Sequence, residues 1–128
     1  TYKKAHYHGP GAHVIILSGR GYSLLWPQGQ PVRKYDWGPG SMIVPPANWF
    51  HQHFNAGAEP ARYLALRWGS KKYYGIMGEG GGETDLDIKL GGHQIEYEDE
   101  DPIVRKMFEE ACAKAGIQSQ MDKHYRKV

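Results

Sequence analysis

The sequence predicts an all-β fold that carries one C-terminal α-helix, and two observations support this prediction. Glycine and proline account for 17 and 8 of the 128 residues, which is typical of short strands joined by tight turns. Apolar residues in the first 70 positions fall into short runs between these turns, whereas helical spacing is clear near the C-terminus. We therefore expect a β core over residues 1–70, and a glycine-rich loop, an edge strand and the helix over residues 71–128.

Six short segments before residue 70 have the composition of β-strands. Turn signals such as Gly38-Pro39-Gly40 and Pro45-Pro46 separate them. Short strands at this regular spacing are typical of a jelly roll or a barrel. The predicted strands are Val14 to Leu17, Tyr22 to Trp26, Val32 to Trp37, Ser41 to Val44, Phe50 to Phe54 and Arg62 to Trp68.

The chain changes in character after Gly69. Gly78 to Gly82 is predicted to be a loop, and the alternation of Leu86 and Ile88 with charged neighbours predicts a half-exposed edge strand over Thr84 to Lys89. Further on, Asp101 is suited to the N-cap of a helix that runs from Pro102 to about Ala115, and Gly116 to the position after its end. We expect the apolar face of this helix to pack on the β core or on a neighbouring subunit.

Composition excludes several classes of protein. The net charge is +2 and the basic residues are scattered, which argues against nucleic-acid binding. The single cysteine, Cys112, excludes an internal disulfide and fits a reducing compartment. No apolar stretch approaches the roughly 20 residues that span a bilayer. We expect a cytoplasmic protein that acts on a small molecule, with no nucleic-acid or membrane partner.

Two histidine pairs are the most informative chemical feature of the sequence. They are His6-Tyr7-His8 and His51-Gln52-His53, and each lies on or beside a predicted strand. Alternate side chains of a strand share one face, so His6 and His8 can point into the same cavity. A third imidazole from a distant strand can then complete a site for a divalent transition metal.

The surroundings of these pairs follow two recognisable motifs. The first consists of His6-Tyr7-His8 and a strand that ends at Gly19, and the second of Gly40, Pro46-Ala47-Asn48, His51 and Asn55 at fixed spacing. Over about residues 4 to 69 the chain thereby resembles the cupin superfamily, which implies a jelly-roll barrel. Asn48 replaces the usual glycine of the second motif, and asparagine also tolerates a positive φ.

One departure from the cupin pattern points to a branch of the family. Ala12 occupies the position where most cupins carry a glutamate ligand. The chain in this respect is similar to the gentisate 1,2-dioxygenase-like branch, which holds Fe(II) with three histidines and no glutamate. The resemblance implies His6, His8 and His51 as ligands of one divalent metal ion per chain. Fe(II) is favoured, while Mn, Ni, Co, Cu and Zn stay open.

Two further histidines are candidates for the site. His13 lies one residue past the glutamate position and faces outward in a regular strand, but a bulge near Gly9 to Gly11 would turn it inward as a fourth ligand. His53 shares a face with His51 and is predicted either to carry protons beside the substrate or to fill the barrel interior. We expect His93 and His124 to be ordinary exposed histidines.

Arg67 is the candidate for holding the substrate. It shares a strand face with Tyr63 and Ala65, and the resemblance places Ala65 inward, at a position that is often acidic in gentisate-type enzymes. An inward guanidinium can hold a carboxylate through two hydrogen bonds. A surface ion pair is the alternative role.

Taken together, these residues predict a metal-dependent cupin. The favoured function is a non-haem Fe(II) dioxygenase acting on an aromatic or carboxylated small molecule. The alternatives are a non-catalytic metal- or ligand-binding cupin, a structural half of a bicupin, or a redox-inert Zn or Mn isomerase or lyase. Only five residues precede His6, which suggests missing N-terminal strands and therefore a homo-oligomer or a companion cupin segment.

Overall fold

Two antiparallel β-sheets of three strands each form the core of the chain. The structure is a computed structural model, and it describes residues 1–9, 12–67 and 85–125. The strands are β1 Ala12–Ser18, β2 Gly21–Trp26, β3 Arg33–Trp37, β4 Met42–Ile43, β5 Phe50–Asn55 and β6 Arg62–Arg67. The first sheet has the order β3-β2-β5 and the second the order β4-β1-β6.

All six predicted strands are present, so the all-β prediction is confirmed. Their ends lie within two residues of the predicted ends, and Trp68 lies outside the described residues. Within the described ranges, no strand of one sheet pairs with a strand of the other. The sheets therefore do not close into a barrel in the part of the chain that the structure describes.

The inner faces of the two sheets meet in an apolar cluster. Ala12, Val14 and Ile16 alternate along β1 and are buried, while the intervening residues are more exposed. This alternation has the period of two that a strand with one buried face requires. The cluster consists of Ala12, Val14, Ile16, Leu25, Trp37 and Ile43.

A helix covers the outer face of the first sheet. Helix α1, Pro102–Lys114, buries Val104, Phe108 and Cys112, which recur every four residues and so form one stripe. This stripe belongs to the same apolar cluster as Tyr22 and Phe54 of the sheet. The helix thus packs on the β core, which is one of the two predicted alternatives, and the C-terminal region shares a core with the first 70 residues.

The ends of α1 agree with the capping signals. The Asp101 carboxylate accepts a hydrogen bond from the backbone N–H of Ile103 at 3.0 Å, and Gly116 adopts a φ of +67°. A short second helix, α2 Asp122–Tyr125, follows. Among the described residues, no helix combines the length and the apolar composition needed to cross a bilayer.

The edge of the first sheet beside β5 is covered by the N-terminal segment. Tyr2 bridges Phe54, and His6 bridges His51, both in antiparallel orientation. Residues 93–95 then lie along the other side of this segment, since the backbone N–H of Tyr7 donates to the His93 carbonyl at 3.1 Å. The exposed edge that the short N-terminal side suggested is therefore not found here.

The predicted edge strand over Thr84 to Lys89 is wrong. In its place Ile88–Leu90 forms a 3₁₀ helix, whose N-cap is Asp87. The Asp87 carboxylate accepts from the Lys89 N–H at 2.9 Å, and Gly91 ends the turn at a φ of +85°. A local side-chain cap outweighs a weak alternating pattern here. The predicted loop Gly78 to Gly82 and Thr84 lie outside the described residues.

We predict that Asp101→Ala lowers the free energy of unfolding by about 1 kcal/mol, because the first turn of α1 loses its side-chain cap. Urea denaturation followed by circular dichroism would measure this loss. Asp101→Asn is the matched control and should retain most of the stability, since the amide oxygen accepts the same hydrogen bond. Equal losses in the two variants would contradict the capping role.

Candidate metal centre

Three histidines from two segments converge on the inner side of the first sheet. His6 and His8 lie on the N-terminal segment, and His51 lies on β5. Each offers a ring nitrogen within 4.8 Å of those of the other two. The ring centroids are 4.5 Å apart for His6 and His51, 4.7 Å for His8 and His51, and 5.7 Å for His6 and His8.

Backbone pairing brings these histidines together. The N–H of His51 donates to the His6 carbonyl at 2.9 Å, and the N–H of His6 donates to the His51 carbonyl at 3.3 Å. His6 and His51 are thus directly opposite each other, and His8 shares their face through the period of the strand. The backbone N–H of Asn48 donates to the His8 carbonyl at 3.1 Å, which holds the backbone at His8 in place. Asn48 itself has a φ of +62°. Asn48 thus adopts the positive φ that asparagine tolerates.

The hydrogen bonds of the three rings select the tautomer that a metal needs. In each ring, Nδ1 lies near a backbone carbonyl oxygen, of Lys4 for His6, Gly9 for His8 and Trp49 for His51, at distances of 3.2, 3.3 and 3.1 Å. A carbonyl only accepts hydrogen bonds, so Nδ1 carries the proton in these contacts. Nε2 is then the unprotonated atom of all three rings, and it is the atom that could bind a metal ion.

Burial keeps the rings of His6 and His51 in the neutral form. His51 is buried, and loss of hydration together with the neighbouring His6 lowers its pKa to about 3. The pKa of His6 is also lowered, with burial as the main cause. A neutral imidazole does not have to lose a proton before it binds a metal ion. The donor set therefore fits a divalent metal at neutral pH.

His53 lies beside the group without belonging to it. Its ring centroid is 5.9 Å from that of His51 and 6.1 Å from that of Tyr63 on β6. Its Nδ1 is 2.7 Å from the hydroxyl of Ser23, which also accepts a hydrogen bond from the Trp37 indole at 3.0 Å. Burial, followed by the nearby His6 and His8, lowers the pKa of His53 to about 4.

The sequence did not single out Ser23 and Trp37. Ser23 is a polar residue within an otherwise aromatic and aliphatic strand, and it is fully buried. A hydroxyl in such a strand needs a partner, since burying it without one is costly. That signal predicts a hydrogen bond, but the partner depends on the register of β2 against β5, in which Ser23 lies opposite His53.

His13 lies on the other face of its strand. Ala12 pairs with Arg67 and is buried, whereas His13 pairs with Leu66 and is exposed. This is the gap-free register, with Ala12 inward and His13 outward. The possible role of His13 as a fourth ligand is therefore not retained, although Pro10 and Gly11, where a bulge was considered, lie outside the described residues.

Arg67 shares the inner side of the second sheet with Tyr63 and Ala65. The register pairs these residues with Ala12, Ile16 and Val14, which are buried between the sheets. Arg67 itself is exposed, and its positive charge is among the smaller causes that lower the pKa of His6. The guanidinium is thus on the same side as the histidine group and accessible to an anion.

The other two histidines differ from each other. His93 is buried and stacks on Tyr7, with ring centroids 4.2 Å apart, so the prediction that it is exposed is wrong. It is covered because residues 93–95 pair with the N-terminal segment, a contact that no local pattern shows. His124 is exposed as expected. Asn55 shapes its turn, since its side chain accepts from Gly57 and donates to the Glu59 carbonyl.

Comparisons with known proteins add little to this geometry. No protein-family model matches the chain, and no curated protein matches it. A similar solved structure is that of the plu4264 protein from Photorhabdus luminescens, obtained by ensemble refinement. The two chains are 18% identical with a TM-score of 0.47, over 56% of this chain and 55% of that one. The likeness spans about half of each chain and indicates neither a family nor a function.

Proposed function

We propose that the chain is a cupin that binds one divalent metal ion through His6, His8 and His51. The observation that carries this proposal is that Nδ1 of each of the three rings lies against a backbone carbonyl, from which the shared tautomer follows. Three separate packing histidines have no reason to share both a tautomer and a direction. The two facing antiparallel sheets are compatible with a jelly-roll barrel, which is the finer form of the same proposal.

The function that this site supports best is that of a non-haem Fe(II) dioxygenase acting on an aromatic or carboxylated small molecule. Three neutral ligands leave roughly three of six iron positions for substrate and dioxygen. A bound Fe(II) would supply the redox chemistry and orient the substrate. Arg67 would hold a substrate carboxylate at the open side of the site, and His53 would hold or move a proton beside it.

A second candidate is a non-catalytic metal- or ligand-binding cupin, or the structural half of a bicupin. Two alanines favour it. Ala12 lies where most cupins have their glutamate ligand, and Ala65 lies at an inward position that is often acidic in the gentisate-type enzymes. A third candidate is a redox-inert Zn or Mn isomerase or lyase. It would use the same three histidines as the dioxygenase with another metal, since imidazole ligands accept Mn, Co, Ni, Cu and Zn as well as iron.

Metal analysis of protein purified without added metal separates these functions most directly. We expect one transition-metal ion per chain, and oxygen uptake by the Fe(II)-loaded protein on hydroxylated aromatic acids. Stoichiometric metal without oxygen uptake on any such acid would favour the non-catalytic alternative. Stoichiometric zinc or manganese, with no increase in oxygen uptake after loading with Fe(II), would favour the isomerase or lyase. Absence of metal binding under all loading conditions would contradict the proposal itself.

We predict that Arg67→Gln weakens the binding of 2-hydroxybenzoate to the Zn-loaded protein by about 10-fold, since a charge-assisted hydrogen bond to the carboxylate is lost. Calorimetric titration would measure this change. Arg62→Gln is the matched control, because Arg62 is five positions earlier on the same strand and faces the other way by alternation. Equal affinities of the two variants for the ligand would show that Arg67 does not hold the carboxylate.

We also propose that the chain assembles, as a homo-oligomer or with a companion cupin segment. The outer face of the second sheet supports this assembly. The edge of the first sheet does not, because the N-terminal segment covers it. Four large apolar side chains on this face, Leu17, Met42, Leu64 and Leu66, are each at least 49% exposed. Exposed apolar patches of this kind mark protein interfaces.

Sedimentation at micromolar concentration tests the assembly. We predict a dimer or larger species for the parent protein and a monomer for Leu66→Glu, since a carboxylate in an apolar interface must lose its hydration. Lys106→Glu on the exposed side of α1 is the control for a charge change and should leave the assembly intact. A parent protein that is monomeric at this concentration would rule out the homo-oligomer.

A further inference from the structure

Three side chains of the first sheet form a hydrogen-bonded chain that ends at the candidate metal centre. The Trp37 indole N–H donates to the Ser23 hydroxyl at 3.0 Å, and this hydroxyl is 2.7 Å from Nδ1 of His53. Ser23 is fully buried, and Trp37 is 7% exposed. The chain is therefore shielded from water, which would otherwise compete for each hydrogen bond.

The direction of this chain follows from counting donors and acceptors. An indole N–H is a donor only, so the Ser23 oxygen accepts from Trp37. The hydroxyl has one hydrogen of its own, and among the described residues Nδ1 of His53 is within hydrogen-bond distance to accept it. If Nδ1 instead carried a proton and donated to Ser23, the buried hydroxyl hydrogen would have no partner, which is costly. Ser23 therefore donates to Nδ1, and the proton of His53 is on Nε2.

His53 is thus held in the opposite tautomer to its neighbours. His6, His8 and His51 each carry the proton on Nδ1, which faces a carbonyl, and so turn an unprotonated Nε2 toward a metal. His53 turns an N–H away from Ser23 instead. Among the described residues this Nε2–H has no hydrogen-bond acceptor, and the ring centroid lies 5.9 Å from that of His51. The site therefore contains three rings with an unprotonated Nε2 and, beside them, one ring that is a hydrogen-bond donor.

We propose that Ser23 and Trp37 are positioning residues that fix His53 as a hydrogen-bond donor to an anionic atom of whatever ligand the three-histidine group holds. This inference rests on the proposed metal site and narrows its ligand class. A fixed N–H favours a carboxylate, a phenolate or a small inorganic anion, and disfavours a ligand that presents a donor of its own. His53 would contact the ligand, whereas Ser23 and Trp37 act only through His53.

The tautomer can be measured without any metal activity. Long-range ¹H–¹⁵N correlation spectra of the metal-free and Zn-loaded protein should show Nδ1 of His53 as an unprotonated nitrogen and Nε2 as a protonated one. In Ser23→Ala the two shifts should move toward each other as both tautomers become populated, and Ser23→Thr should restore the parent values. A parent protein with the proton on Nδ1 would overturn the proposal, as would Ser23→Ala spectra identical to the parent spectra.

Azide binding to the Co(II)-loaded protein tests the donor role, read from the visible bands of cobalt. We expect Ser23→Ala to weaken azide binding by about 10-fold, the lower end of what an outer hydrogen-bonding partner of a metal site contributes. His53→Phe should weaken it at least as much, and Ser23→Thr should restore it. Trp37→Phe should give a smaller loss. Unchanged azide affinity in both Ser23→Ala and His53→Phe would overturn the proposal.

The two readouts separate this inference from the proposed function. If the parent protein bound neither cobalt nor any other divalent metal, the metal proposal would be wrong and this inference would fall with it, whatever the spectra showed. If cobalt bound stoichiometrically to the parent and to all variants while azide affinity stayed constant, the metal site would stand and the donor role of His53 would be wrong. His13→Ala, an exposed change on the other sheet, controls for effects of handling and loading.

Discussion

Replacing His51 by alanine is expected to lower the metal affinity of this protein by more than 100-fold. His51 is the buried member of the three-histidine group, and its Nε2 is held in the ligating tautomer by the carbonyl of Trp49 at 3.1 Å. Losing even an outer partner of a metal site costs about 10- to 100-fold, so losing a ligand should cost more. Competition with a chromophoric chelator for Zn(II) would measure the affinity.

A matched control makes this expectation specific. His13→Ala removes the same side chain from a strand of the core, but His13 is exposed and lies on the opposite face to Ala12. Its metal affinity should stay within a few-fold of the parent value. Circular dichroism should show the same β-rich fold in both variants, since the backbone hydrogen bonds between His6 and His51 do not depend on the ring. Full metal occupancy in His51→Ala, or a severe loss in His13→Ala, would contradict the ligand assignment.

The metal-free protein should lose stability steeply as the pH falls below 6.5. The pKa of His51 is lowered to about 3 and that of His53 to about 4, both mainly by burial, from an ordinary value of 6.5. Between pH 6.5 and about 4 the unfolded chain therefore binds protons that the folded chain does not. Stability rises with pH wherever the unfolded state binds more protons, so the contribution is complete above pH 6.5 and lost on acidification.

The expected size is about 1.4 kcal/mol per pH unit for each such histidine. Urea denaturation in the presence of a chelator, repeated at steps from pH 7 to pH 4.5, would give the slope. His51→Gln and His53→Gln each remove one titrating ring and should each reduce the slope by about that amount. A slope that is the same in the parent and in both glutamine variants would show that these rings do not remain neutral in the folded state.

Several features of the histidine pairs can be predicted from neighbouring residues in the sequence. That His6 and His8 share a face follows from the two-residue period of an extended chain, and so does the outward direction of His13 once Ala12 is inward. The helix from Pro102 and its cap at Asp101 also follow from neighbours in sequence, because a cap and a helical face are local. Each of these features was predictable because every interaction that decides it lies within a few residues.

Other features depend on contacts between distant segments. The hydrogen bond from Ser23 to His53 joins residues 30 apart and exists because β2 and β5 pair in one particular register. The burial of His93 likewise requires residues 93–95 to lie along the N-terminal segment. A period of two tells which residues share a face, but it does not tell which strand lies opposite or by how many residues it is shifted.

The sequence by itself determined an all-β core, its six strands, the C-terminal helix and the histidines that were candidates for one site. Only the tertiary structure decided that His6, His8 and His51 meet and that Nδ1 of His53 lies against the Ser23 hydroxyl. The physical reason is that strand direction and helix capping are set by adjacent residues. Distances between rings, burial and the lowered pKa values of His51 and His53 are set by what the rest of the chain places around them.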